Sequence, residues 1–203
     1  MASEMVIGES FATPAELVTL SFGPNAKQYI VHKQFACTAS PVLDATFSGP
    51  SKVYRLSNKF KEETGRLLVH WIYTGKLDTQ WENISEDIMF VQLWVLAGVL
   101  EIYALQDQII REWYCTRDLV DTIPFCSTCL VYTYENTPEE SPLRRFLVDL
   151  WVTGIDNSMD IVYDSDMPRR FLVEVLERYQ GVPKKGSLKA EIDMAGNMDG
   201  YLV

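Results

Sequence analysis

The feature that most constrains the fold of this chain is an early pair of strand-forming runs, after which the apolar pattern becomes helical. Leu17–Phe22 and Gln28–Lys33 are rich in β-branched and aromatic residues, and the turn-forming sequence Gly23-Pro24-Asn25 lies between them. The two runs are predicted to form a hairpin. Val53–Leu56 alternates over four residues and predicts a third short strand. Strands followed by helices predict an α+β fold.

Two short helices are predicted between the hairpin and the third strand. Lys33–Ala39 is the first of them. Ser40 then provides an N-cap side chain, and Pro41 is suited to the first turn of a helix. The second helix is therefore expected to run from Pro41 to Phe47.

Three longer apolar patterns predict the helices of the core. The first places its apolar residues on one helical face and ends with Gly75 in the C′ position. Its apolar face consists of Leu67, Leu68, Trp71 and Ile72. Residues 86–98 are apolar nearly all round, which is typical of a helix at the centre of a core. Residues 102–113 carry a regular apolar stripe and predict an amphipathic helix beside it.

The periodic pattern continues after residue 115, so a second folded region is expected. An apolar stretch covers residues 119–134, and two amphipathic stripes begin at Pro142 and Phe171. These patterns predict an all-helical C-terminal extension over residues 116–181. Both ends of the chain lack a sustained period, so residues 1–11 are predicted to be a flexible leader and residues 182–203 a mobile tail.

Three sequence motifs together resemble the BTB/POZ domain family. They are Tyr29-Ile30-Val31-His32-Lys33, Ser40-Pro41 and Trp71-Ile72-Tyr73-Thr74-Gly75. Members of this family share a strand that ends in His-Lys or His-Arg, a step into the next helix, and Tyr-Thr-Gly at a helix end. The resemblance covers residues 12–115. It implies a short three-stranded sheet capped by a helical core.

A second resemblance concerns the extension. Residues 132–139 and 141–145 are similar to the segment that follows the BTB domain in uncharacterised filamentous-fungal BTB proteins.

The resemblance implies that the chain binds other proteins and is not an enzyme. BTB domains form homodimers or larger oligomers, recruit transcriptional co-regulators, or dock on the cullin scaffolds of ubiquitin ligases. We therefore expect a non-catalytic scaffold or adaptor that mediates self-association or partner recruitment. A substrate adaptor of a cullin-type ubiquitin ligase and a transcriptional co-regulator are the alternatives within this class.

The resemblance also assigns three candidate partner-binding residues. Glu16 and Lys33 match the acidic and basic residues of a charged pocket near the dimer interface in family members that carry zinc fingers. The alternative is a solvent-exposed ion pair without a role in binding, and such a pair would have the same two residues. Tyr73 matches the tyrosine on the cullin-facing surface, and the alternative for it is a helix-end tyrosine that covers the core.

The net charge of the chain and the short length of its apolar stretches argue against nucleic acid and membrane as direct partners. The net charge is −10, from 28 acidic and 18 basic residues, which would repel a phosphate backbone. The longest uncharged apolar stretch, Ile88–Leu100, has 13 residues, whereas a membrane span needs about 20. Met5-Val6-Ile7 is too short for the apolar region of a signal peptide. The four cysteines show no disulfide framework, so a cytoplasmic or nuclear location is expected.

Candidate catalytic and metal sites are few. Cys126-x-x-Cys129 could be half of a zinc site or a redox pair, yet the two histidines, His32 and His70, lie far away in the sequence. We expect these cysteines to be structural thiols, and we predict no cofactor and no metal. A metal- or thiol-dependent enzyme built on Cys126 and Cys129 is the alternative from a different functional class.

Overall fold

A three-stranded sheet opens the fold in the computed structural model, which describes residues 16–23, 25, 27–56, 60–78, 87–116, 127–155, 166–181, 194, 196 and 198–203. Strand β1 (Leu17–Phe22) lies at the centre of this sheet. It pairs antiparallel with β2 (Lys27–His32) and parallel with β3 (Val53–Arg55). The predicted hairpin and third strand are thereby confirmed.

Two short helices, α1 (Lys33–Ala39) and α2 (Pro41–Phe47), connect β2 to β3. The Oγ atom of Ser40 accepts a hydrogen bond from the backbone N–H of Leu43 at 3.1 Å, which satisfies a donor in the first turn of α2. The same hydroxyl donates to the carbonyl oxygen of Leu100 at 2.6 Å. The predicted N-cap is confirmed, and it also ties α2 to a distant part of the core.

The helical core consists of α3 (Glu62–Thr74), α4 (Asp87–Val99) and α5 (Tyr103–Thr116). Helix α3 ends as predicted at Gly75, whose φ of 65° lies in the left-handed region that favours glycine. Most of the described side chains around α4 are buried, whichever side of the helix they lie on, which agrees with its continuous apolar sequence.

Three further helices, α6 (Ser127–Asn136), α7 (Pro142–Ile155) and α8 (Arg169–Gly181), form the predicted extension. Helix α6 packs on α4, and α7 packs against both α6 and α8. Their buried side chains join those of the first five helices in one continuous hydrophobic cluster. The extension therefore shares a core with the sheet-containing part. The N-terminal half of the predicted apolar stretch over 119–134 lies outside the described residues.

A row of aromatic side chains crosses the boundary between the two parts. The Trp113 ring of α5 has its centroid 6.4 Å from that of Phe90 in α4 and 6.0 Å from that of Phe146 in α7. Phe146 in turn contacts Tyr201, with centroids 5.7 Å apart at an angle of 75°. Contacts between aromatic rings add to the free energy that these rings gain on burial.

The prediction of a mobile tail is wrong for the described part of residues 182–203. Met198–Tyr201 form a 3₁₀ turn, and the side chain of Tyr201 is only 2 % exposed. Met194 is also buried. One buried aromatic ring can anchor a segment that has no periodic pattern, and such a single anchor leaves no periodic signal in the sequence. The remaining residues of this range and the predicted leader over 1–11 lie outside the described residues.

Candidate interaction surface

The junction of β2 and α1 brings the predicted site residues together. Tyr73, in the last turn of α3, accepts a hydrogen bond at its hydroxyl from the backbone N–H of His32 at 2.9 Å. The same hydroxyl lies 2.8 Å from Nδ1 of His32, to which it can donate. Because Lys33 follows His32 directly, this contact brings Tyr73 next to the residue that precedes Lys33, although Tyr73 and Lys33 are 40 positions apart in the sequence.

Three rings form an aromatic cluster at this junction, which we call the His32 cluster: His32, Phe35 and Tyr73. Their centroids are 5.1 to 5.9 Å apart. The side chain of Tyr73 remains 38 % exposed. Tyr73 therefore both covers its neighbours and presents part of its ring to solvent, so the two sequence-based interpretations of this residue do not exclude each other.

Glu16 and Lys33 form an ion pair beside the cluster, with 2.8 Å between Oε2 and Nζ. The backbone N–H of Lys33 also donates to the carbonyl oxygen of Glu16 at 2.8 Å. The hydrogen bond from Lys33 lowers the pKa of the Glu16 carboxyl, and the hydrogen bond to Glu16 raises the pKa of the Lys33 ammonium. Exposed pairs contribute little to stability, so this pair matters chiefly as surface charge.

The strand register explains why these residues meet. Leu17 of β1 lies opposite His32 of β2, so Glu16, which precedes β1, lies beside Lys33, which follows β2. Tyr73 lies in the last turn of α3, before the left-handed Gly75, and its hydrogen bond with His32 places it next to the end of β2. The sequence contains both signals, but the proximity of Tyr73 to His32 depends on tertiary packing.

An exposed apolar patch on the outer face of the sheet was missed by the sequence analysis. Thr19 of β1 lies opposite Ile30 of β2 and Val53 of β3, and residues that lie opposite each other share a face of the sheet. Leu17 occupies the same face, two residues before Thr19. Ile30 is 66 % exposed, and Leu17 and Val53 are also exposed. Because Ile30 and Val31 are both β-branched and apolar, the sequence does not show which one points to solvent.

The cysteine hypothesis receives no support from the described residues. Cys129 is buried in α6, and Cys126 lies outside the described residues. Within the described part of the chain, histidine, cysteine and acidic residues do not form a group of three or more that could hold a metal ion. None of the described helices is long and apolar enough to cross a bilayer.

A cavity of about 610 Å³ lies in the extension between α7 and α8. Its arginines already have partners within the chain. Arg144 donates to the carbonyl oxygens of Tyr134 and Thr137, and Arg178 donates to the carboxylate of Asp149. These contacts hold α6, α7 and α8 together, so we interpret Arg144 and Arg178 as structural.

Comparison with protein families assigns the first half of the chain. Residues 12–112 match the family model of the BTB/POZ domain. The predicted fold, a short sheet capped by a helical core and followed by a helical extension, is thereby confirmed. No curated protein matches the chain, so the similarity of the extension to fungal proteins stays a prediction.

BTB/POZ domains in general bind protein partners and self-associate, and they are generally not enzymes. The match begins before β1, ends within α5, and includes the His32 cluster and the Glu16–Lys33 pair. Residues 12–112 therefore form a BTB/POZ domain, a module through which proteins bind one another.

Proposed function

We propose that the chain is a non-catalytic scaffold or adaptor that binds protein partners through the surface around β2 and α1. The observation that carries this proposal is that Tyr73 binds His32 next to the Glu16–Lys33 ion pair, at the end of a strand whose outer face carries exposed apolar side chains. Protein interfaces commonly combine aromatic anchors with an apolar centre and a charged rim. Exposed apolar patches on otherwise polar proteins often mark such interfaces.

Self-association is the first form of this proposal, with the Glu16–Lys33 pair near the dimer interface. In the single chain Glu16 is exposed and Lys33 is partly exposed, so the pair is accessible to a second copy. Charges at an interface mainly determine specificity and the association rate. Reversing one of them should therefore disturb assembly far more than it disturbs folding.

Lys33→Glu is expected to shift a dimer of this chain toward monomer, because it places a second carboxylate beside Glu16 at the interface. Light scattering over a concentration series measures the shift, which we expect to be at least about tenfold in the dissociation constant. The double variant Glu16→Lys, Lys33→Glu restores an opposite pair and should recover part of the association.

Arg169→Glu is the matched control, because it makes the same charge change at an exposed position in α8. It should leave the dissociation constant unchanged. A wild-type chain that is monomeric at every concentration would contradict self-association. The remaining form of the proposal would then be an adaptor that binds its partner one to one.

A substrate adaptor for a cullin is the second candidate, favoured by the partial exposure of Tyr73. The extension over residues 116–181 would then recruit the substrate, and the BTB/POZ domain, with proposed limits 12–115, would bind the scaffold. Tyr73→Ala should weaken capture of the chain by an immobilised cullin N-terminal domain at least about tenfold, as expected for loss of an aromatic anchor.

Tyr179→Ala provides the control for this pull-down, because Tyr179 is a similarly exposed tyrosine in α8. Both variants should first be compared by thermal melting, since Tyr73 also binds His32. If the wild-type chain does not bind the cullin domain under conditions in which a known BTB adaptor does, the cullin role is excluded.

A further inference from the structure

The C-terminal segment Met198–Val203 lies in a groove between α5 and α7. On the α7 side, Arg145 donates a hydrogen bond to the carbonyl oxygen of Gly200 at 2.9 Å. The ring of Phe146 meets the ring of Tyr201 edge to face. The segment thus offers α7 one backbone acceptor and one aromatic side chain.

The α5 side of the groove binds the segment through polar groups. Asp107 accepts a hydrogen bond from the backbone N–H of Val203 at 2.9 Å. Arg111 lies 3.7 Å from the carboxylate of Asp199, which is almost fully exposed. An ion pair as exposed as this contributes little to binding free energy.

Tyr201 is the anchor of the segment. Its ring is buried, and its hydroxyl donates to Oδ2 of Asp149 at 2.6 Å. Asp149 is itself buried and also accepts from Arg178, so the carboxylate is held in place from two sides. The groove therefore contains a site that binds a phenol, and its acceptor, Asp149, is also held by Arg178.

These contacts have the form of a peptide in a binding groove. One buried aromatic anchor, two backbone hydrogen bonds and one exposed ion pair hold the segment, and it forms only a single 3₁₀ turn. Short peptide motifs bind their receptors in this way, with one side chain providing most of the affinity. Residues 182–197 connect the segment to α8.

We propose that the groove between α5 and α7 is a docking site for a partner segment with the chemistry of Asp199-Gly200-Tyr201-Leu202-Val203, which fills it in cis. A partner that presents a carboxylate, a tyrosine two residues later and aliphatic residues after it binds by displacing residues 198–203. The site uses neither Tyr73 nor the Glu16–Lys33 pair, so this proposal and the proposed function fail separately.

The test is to cut the connection and ask whether the segment exchanges. A protease site placed between residues 182 and 193 of the full chain allows cleavage after folding. A fluorescent peptide with the sequence of residues 194–203 is then added, and its anisotropy is measured. We expect the cleaved chain to exchange its own fragment for the peptide, and the uncut chain to bind the peptide at least about tenfold more weakly, because the tethered segment competes at a high effective concentration.

Peptide variants separate anchored docking from unspecific binding. Replacing the tyrosine that corresponds to Tyr201 with alanine should weaken binding at least about tenfold, since it removes the buried ring and its hydrogen bond. Replacing the aspartate that corresponds to Asp199 should change binding less than about threefold. Equal binding of the tyrosine and alanine peptides would overturn the proposal.

The state of the cleaved chain decides the remaining outcomes. A cleaved chain that unfolds, or that stays folded without exchanging its fragment, would show that residues 198–203 are a fixed part of the core and would overturn the proposal. Tyr201→Ala in the uncut chain provides an independent measurement. The wild-type peptide should raise the melting temperature of this variant, whereas the alanine peptide should not.

Discussion

Replacing Trp113 with alanine is expected to lower the free energy of unfolding by about 3–5 kcal/mol, the range for large aromatic residues removed from a core. Trp113 is 1 % exposed, and its ring lies between Phe90 of α4 and Phe146 of α7. The substitution leaves a void where the BTB/POZ domain meets the extension. Urea unfolding followed by tryptophan fluorescence and by circular dichroism measures the loss.

Tyr103→Ala is the control for this substitution. It removes an aromatic ring from the same helix, α5, but Tyr103 is 50 % exposed, and the change should stay within about 0.5 kcal/mol. If Trp113→Ala costs no more than Tyr103→Ala, the aromatic contact between the two parts does not stabilise the chain. Separate transitions for the two probes in the wild type would show that the parts unfold independently despite their shared core.

The local elements of the fold could be predicted because their signals lie within a few residues of one another. Ser40 with Pro41 predicted a helix start, and the structure confirms it through the bond from Leu43 N–H to Ser40 Oγ. Gly75 predicted the end of α3. Its left-handed φ confirms that the helix ends in a conformation that favours glycine. Caps and stops of this kind depend on the chemistry of single residues, which the sequence shows directly.

The candidate site could be predicted only as separate residues. The resemblance pointed to Tyr73, Glu16 and Lys33, but their proximity follows from the register of β1 on β2 and from the packing of α3 against β2. The observed register pairs Leu17 with His32. A shift of this register by one residue would move every side chain of the strand to the opposite face of the sheet. The register is determined by the burial of apolar side chains along the whole sheet. Short motifs do not encode this burial.

The C-terminal segment could not be predicted, because its stability depends on partners far away in the sequence. Tyr201 binds Asp149, and Val203 binds Asp107, so each bond closes a long loop. Periodicity describes segments that bury a face along their own length. A segment held by one anchor has no such face, and its composition resembles that of a tail.

Gly65→Ala is expected to destabilise the BTB/POZ domain, although alanine is the better helix former. Gly65 is the fourth residue of α3, and in a helix interior alanine is favoured over glycine by about 1 kcal/mol. A Cβ at this position, however, would lie 2.7 and 2.8 Å from ring atoms of Phe22 and 3.0 Å from the ring of Tyr29. Contacts this short force the helix or the rings to move.

The rings near Gly65 have little freedom to move. Phe22 is fully buried and meets Tyr29 edge to face, and the hydroxyl of Tyr29 donates to the carbonyl oxygen of Glu62 at 2.9 Å. Shifting either ring breaks the packing between α3 and the hairpin. Overpacking of a core commonly costs about 1–3 kcal/mol, and we expect a net loss of about 2 kcal/mol from Gly65→Ala.

Gly181→Ala isolates the steric part of this prediction. A Cβ at Gly181, the last residue of α8, would meet no atom within 4 Å, so the substitution should leave the free energy of unfolding within about 0.5 kcal/mol of the wild type. Denaturant titration of the two variants gives the comparison. If Gly65→Ala is as stable as Gly181→Ala or more so, α3 can move away from the sheet at little cost. The position of Tyr73 beside His32, which depends on that packing, would then be adjustable on partner binding.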